Sequence, residues 1–217
     1  MNGLARWFLL ATFVASVLLV IGFGVQAAAL APYLGSPDVG KVPALDPSVA
    51  SALNLISIAY GILFAVGLLA IAPAARAGTF GALGASMSFV GNLLLATRYA
   101  WTSFVPGTPL PFHPLLPPAV IGAGALIFGI AVFRANVLSR TGALLLAVFC
   151  PTGLYGLAGP AATTLLFGTD LGLAPSTLLR MYGYLAMFVV AASWSLLALS
   201  VWRKLPDHEL VPRPTVA

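Results

Sequence analysis

Charge is scarce in this chain. Of 217 residues, 7% are charged and 60% are hydrophobic, whereas an ordinary soluble domain carries about 25% charged residues. Water therefore cannot be the solvent for most of the surface. The single cysteine, Cys150, excludes an internal disulfide and any multi-thiolate metal site. The two histidines, His113 and His208, both fall outside the long apolar runs. A bis-imidazole haem in a helical bundle, and an intramembrane protease or oxidase metal centre, thus lack their ligands. No apolar segment carries a carboxylate at depth, which removes the usual proton or sodium relay residue. A phosphate-binding glycine loop followed by lysine and serine or threonine is also missing, so energy from ATP would require a partner chain. Serine–histidine catalysis would rest on His113, whose setting, Pro111-Phe112-His113-Pro114, reads first as a turn. The expectation is a protein without catalytic residues, metal or cofactor.

What the sequence has in abundance is apolar length. About 20 mostly apolar residues cross the ~30 Å hydrocarbon core of a bilayer, and six segments meet that requirement: Trp7 to Ala31, Pro47 to Ala72, Phe80 to Trp101, Leu115 to Phe133, Thr141 to Ala161 and Pro175 to Trp202. The reading is an all-α, six-helix transmembrane bundle over residues 1–204, followed by a mobile cytoplasmic tail, 205–217, with three prolines among charges. The first segment also has ingredients of a signal peptide, Arg6 before an apolar run and Ala27-Ala28-Ala29 after it. Its apolar run exceeds the usual ~7–15 residues, and an uncleaved helix is expected.

The net charge of +5 does not point to nucleic acid, because the basic residues are scattered singly. Their distribution reports orientation. With the N-terminus inside, Arg6, Arg76, Arg134, Arg140, Arg203, Lys204 and Arg213 are cytoplasmic, against Lys41, Arg98 and Arg180 outside. That asymmetry gives both termini a cytoplasmic place, and the expected location is a cell membrane, of the bacterial cytoplasmic kind. The outer links, Pro32 to Asp46, Thr102 to Pro114 and Ala162 to Ala174, are longer than the inner ones, Pro73 to Thr79 and Ala135 to Arg140. Asp46-Pro47-Ser48 has the chemistry of a helix start, with Asp46 as the cap.

The polar side chains inside the apolar segments gather near the outer face. At 1.5 Å per residue, Gln26 and Arg180 lie roughly 8 Å below the outer end of their helices, Asn54 about 10 Å, and Asn92 and Tyr184 about 13 Å. Tyr155 belongs to the outer half of its helix. An unpaired amide or guanidinium is costly in lipid, so these groups should face one another, water or a ligand. Asn54 and Asn92, at similar depth on neighbouring helices, are expected to approach each other. One reading of the layer is interhelical hydrogen bonding that holds the helices together; the other is a polar cavity open to the outside. Arg98, near the boundary, has three readings: snorkelling to lipid phosphates, pairing with Asp46 or Asp170, and binding an anion. Cys150-Pro151 and Gly159-Pro160 are expected to interrupt the fifth helix beside this layer. Two small-residue faces, Ala11/Ala15 and Gly81/Gly84/Ser88, suit contact with another helix or a partner membrane subunit.

Two resemblances follow. Phe133-Arg134-Ala135-Asn136-Val137-Leu138-Ser139-Arg140-Thr141-Gly142-Ala143 resembles a hairpin of uncharacterised polytopic bacterial membrane proteins, and implies no activity. Length, six helices and an outward polar layer are similar to the substrate-binding subunits of energy-coupling-factor vitamin transporters. In that family an alanine-xxx-alanine face on the first helix docks the transport partner, and Ala11 and Ala15 match it. The function expected from the residues is binding, sensing or assisted translocation of a small polar or amphipathic molecule. Its ligand-binding residues are Gln26, Asn54, Asn92, Arg98, Tyr155, Arg180 and Tyr184, with Arg180 meeting an anionic group. The alternatives are an accessory or assembly subunit whose polar layer is structural, and a membrane enzyme acting on lipid head groups at Arg98 and His113.

Overall fold

The computed structural model describes residues 2–34, 45–167 and 173–205. Its elements are α1 (Asn2–Leu30), α2 (Pro47–Ala75), α3 (Gly78–Phe104), α4 (Leu116–Ala135), α5 (Arg140–Phe167) and α6 (Leu173–Trp202), with a 3-10 turn at Ala31–Tyr33. All six helices are long and apolar enough to cross a membrane. The expected tail beyond 205 lies outside the described residues. α1, α2, α3, α5 and α6 have 27 to 30 residues. They extend about 40–45 Å, so their ends reach past the hydrocarbon into the head-group layers.

Local chemistry sets several of these ends. The Asp46 carboxylate accepts the Ser48 amide at 2.8 Å, with Pro47 in the first helical position. Ser139 plays the same part for α5, its Oγ accepting the Gly142 amide at 3.1 Å. At the Ser139 end of the molecule, opposite Asp46, α2 and α4 stop at Arg76 and Asn136, both in the left-handed conformation (φ 46° and 53°) that turns the chain sharply into the next helix. The α4–α5 turn is tied to the end of α6, where the Ser200 hydroxyl accepts the Ser139 amide at 3.2 Å and Lys204 donates to the Val137 carbonyl. Arg6 lies over the Trp202 ring at 5.7 Å, which joins α1 to the same region.

The fifth helix is not interrupted. α5 runs unbroken from Arg140 to Phe167 through Pro151 and Pro160. A proline deletes one backbone donor without ending a helix whose neighbours hold it in place, as they do inside a membrane bundle. Consequently the link to α6 is also shorter than expected, 168–172.

Each helix packs on its neighbours in sequence, and α6 closes on α1, so the six form a ring. Lipid tails are as apolar as leucine, so association in a bilayer depends on close packing rather than on withdrawal from water. Small residues provide it. At Gly84 of α3, a Cβ would lie 2.8 Å from the Phe128 Cα and 2.9 Å from the Gly124 carbonyl of α4. At Gly183 of α6, it would lie 2.6 Å from the Leu157 amide of α5. The Gly81/Gly84/Ser88 face is thus consumed inside the chain; all three residues are buried. Ala15 is fully buried as well, while Ala11 is half-buried. The Gly81/Gly84/Ser88 face is not available to a partner subunit, a correction that periodicity alone could not supply.

Large rings fill the middle of the ring of helices. Tyr184, Phe23, Tyr60, Phe64, Trp194 and Phe128 follow one another at centroid separations of 5.8 to 6.3 Å. Leu9, Ile71, Leu146 and Leu197 complete the core at zero exposure.

Two outcomes test these assignments. Gly84→Val should lower stability by about 1–3 kcal/mol through overpacking against the α4 backbone, whereas Gly3→Ala, with nothing within 4 Å, should leave it unchanged or raise it; thermal unfolding in detergent reads both. The Ser48 hydroxyl and amide hold the Asp46 carboxyl below its ordinary value of 3.8. Its contribution is therefore complete above that value and lost as pH falls through the lower, folded one. Asp46→Asn should flatten part of the loss of Tm between about pH 5 and pH 2, measured side by side with the unaltered chain.

Candidate functional site

At the Asp46 end of the bundle the helices do not meet fully. A cavity of about 480 Å³ opens there, lined by residues of all six helices and of the α3–α4 connection. Phe23 and Gln26 come from α1, Tyr60 from α2, Leu95, Arg98 and Tyr99 from α3, Pro118 from α4, Leu154, Leu157 and Ala158 from α5, and Tyr184 from α6. His113, Pro114 and Leu115 of the connection close one side. The large rings of Tyr184, Phe23 and Tyr60, 6.0 and 6.3 Å apart in succession, form its floor.

Among the described residues Arg98 is the only charged side chain on the cavity wall, and none of those lining it is a carboxylate. Its Nη1 donates to the Pro114 carbonyl at 2.9 Å and its guanidinium stands 5.8 Å from the Tyr99 ring centre. A guanidinium has five donors in a fixed fork. The single bond to Pro114 orients the group and leaves it able to hold an acceptor in the cavity. The His113 Nδ1 accepts the Leu115 amide at 3.2 Å, which fixes the turn that presents Pro114 to Arg98. In that arrangement the ring's other nitrogen carries the proton.

The expected site residues separate into groups. Gln26, Arg98 and Tyr184 are brought together on the cavity wall. Asn92 is buried and lies below the floor, beside a void of about 40 Å³ that Phe23, Tyr60, Cys150 and Trp194 also line. Asn54, Tyr155 and Arg180 do not line the cavity. Arg180 is exposed, one helical turn further out than Tyr184. Arg180, expected to meet an anion, is thus not among the described lining residues, of which Arg98 is one. The pairing of Arg98 with Asp170 concerns a residue outside the described set.

Asn54 and Asn92 are not at one level. The α2 residue that abuts the Asn92 backbone is Gly61, where a Cβ would lie 3.0 Å from the Asn92 carbonyl. Asn54 is seven residues, roughly 10 Å, further toward the cavity end. Depths counted from presumed helix ends failed because α3 continues to Phe104. Nor do the polar side chains chiefly bond between helices. Gln26 donates to the Gly22 carbonyl at 3.2 Å, Ser57 to Leu53 at 2.8 Å and Asn92 to Ser88 at 2.8 Å, each one turn back on its own helix. Between helices, Thr152 Oγ1 and Tyr182 Oη lie 2.7 Å apart and join α5 to α6.

Sequence reasoning missed Phe23 and Tyr60 as floor residues and Tyr99 as a wall residue. Tyr99 had a signal, since it shares a face with Ser88 and Asn92 at helical spacing; Phe23 had none without the closure of α6 on α1. No protein-family model, no curated protein and no solved structure matches the chain.

Proposed function

We propose that this integral membrane protein binds a small amphipathic molecule carrying an anionic or strongly accepting group, as a receptor or as the binding step of assisted translocation. The observation that carries the reading is the cavity itself: about 480 Å³ walled by aromatic and aliphatic side chains, with one guanidinium and, among the described residues, no opposing carboxylate. A concave, mostly apolar site with few convergent polar groups is the usual form of a small-molecule site. Arg98 takes the anionic group, Tyr99, Tyr184 and the Gln26 carboxamide supply further hydrogen bonds, and the Phe23 and Tyr60 rings receive the apolar body. The action proposed is non-catalytic. A second reading, an accessory subunit with a structural polar layer, draws support from the side chains that satisfy themselves on their own helices, Gln26 and Asn92 among them.

The two readings part on a thermal-shift experiment. Native mass spectrometry of gently extracted protein identifies a retained small molecule, and small aromatic carboxylates and phosphate esters serve as added probes. A bound probe at a hundred times its Kd should stabilise by about 2.7 kcal/mol, and Arg98→Gln should abolish that shift while Arg180→Gln retains it. Insensitivity of the unaltered chain to every probe, with no retained molecule, would favour the accessory reading.

We also propose that both termini are cytoplasmic and the cavity faces outward, on the strength of seven basic residues at one side against three at the other. Cysteines introduced in segment 35–44 should react with an impermeant maleimide on intact cells, and cysteines in 206–217 should react only after lysis. Labelling of the latter on intact cells would reverse the orientation.

A further inference from the structure

A second recess lies at the opposite end of the bundle, on the outside of the ring where α3 meets α4. It has a volume of about 520 Å³ and is lined by Ala77, Phe80, Ile127, Ile130, Ala131 and Arg134, with Ala135 at its edge. Small residues make its floor and large ones its walls. Ala77 and Ala131 sit on either side of Gly81, so the seam is sunken, while Phe80 is 74% exposed and Ile130 43% exposed beside it. A depression of this kind on a lipid-facing surface takes an extended apolar chain.

Its open end is positive. Arg134 stands in the last turn of α4, on the recess wall and exposed. Arg76 lies one residue before Ala77 and is exposed as well. α3 begins at Gly78 without a side-chain cap, so the positive end of its dipole lies beside them. The neighbouring recess between α2 and α3, of about 430 Å³, is lined by Leu68, Ala72, Ala85, Ser86 and similar residues and, among the described residues, includes no charged side chain. Charge and apolar length coincide at one of the two grooves.

We propose that the α3–α4 recess is a specific site for an anionic phospholipid. One acyl chain lies between Phe80 and Ile130, and Arg134 holds the phosphate at the head-group level, with Arg76 adding to the attraction. The depth is consistent with this: Ile130 and Ile127 lie four and seven residues, roughly 6 and 10 Å, deeper along α4 than Arg134, so apolar wall and guanidinium are stacked along the bilayer normal in the order of a lipid's own tail and phosphate. A guanidinium suits a phosphate because its donors match two oxygens together.

The test uses the full chain in detergent, with dioleoylphosphatidylglycerol and dioleoylphosphatidylcholine as the probes, read by native mass spectrometry of retained lipid and by Tm. The unaltered protein should retain the anionic lipid preferentially and gain more Tm from it. Arg134→Gln should weaken retention of the anionic lipid roughly fivefold, in line with the attraction of one basic residue at an anionic surface, and leave the zwitterionic lipid unaffected. Ile130→Trp, which fills the groove, should weaken both lipids while Arg134 remains in place. Equal retention of the two lipids by the unaltered chain, undiminished preference in Arg134→Gln, or an equal Tm gain from glycerol phosphate without acyl chains would each overturn the proposal.

Discussion

Close approach of helix backbones at small residues is the contact on which this molecule depends. In water a helix is driven onto its neighbour by the removal of apolar surface, but lipid offers leucine as good a solvent as another helix does. What remains is dispersion between surfaces brought into full contact, and that contact requires a residue with no Cβ. Gly67 between α1 and α2, Gly61 between α2 and α3, Gly84 and Gly124 between α3 and α4, Gly129 between α4 and α5, and Gly153, Gly156 and Gly183 between α5 and α6 occupy those seams. The closure of α6 on α1 is made instead by larger groups: the nearest atom that a Cβ on Gly24 would meet is the Phe188 ring, at 3.9 Å. The ring thus relies on glycine along the sequence and on larger side chains where it closes.

The cavity opens above the rings of Phe23, Tyr60 and Tyr184, and it is walled by whatever each helix presents at that level. Arg98 can stand in it because its fork is anchored: the Pro114 carbonyl takes one donor, and the His113 turn positions Pro114. The site is therefore assembled from the α3–α4 connection as much as from the helices.

Local chemistry was legible in the sequence. Asp46-Pro47-Ser48 starts a helix for reasons contained in three residues, and apolar length marks six spans without reference to their neighbours. Relations between helices were not legible. Pro151 reads as a break because its effect in isolation is known, whereas its outcome depends on the helices around it. Asn54 and Asn92 read as partners because depth was counted from helix ends that composition places only within a turn or so. Gln26, Arg98 and Tyr184 share a wall, while Arg180, placed by counting one turn or so inside its helix, is exposed because a helix rotates its side chains by 100° per residue and only tertiary contacts decide which face turns inward.

The aromatic sequence from Tyr184 to Phe128 has an electrical consequence. It stacks Phe23, Tyr60, Phe64 and Trp194 beneath the cavity, so that the cavity ends partway down the bundle instead of continuing to the other face. A charge moved across the whole membrane gains about 2.3 kcal/mol per 100 mV. Arg98 stands six residues, roughly 9 Å, from the end of a helix about 40 Å long, and a charged occupant held there crosses only a small fraction of that drop. Occupancy of such a cup follows concentration and is nearly blind to voltage.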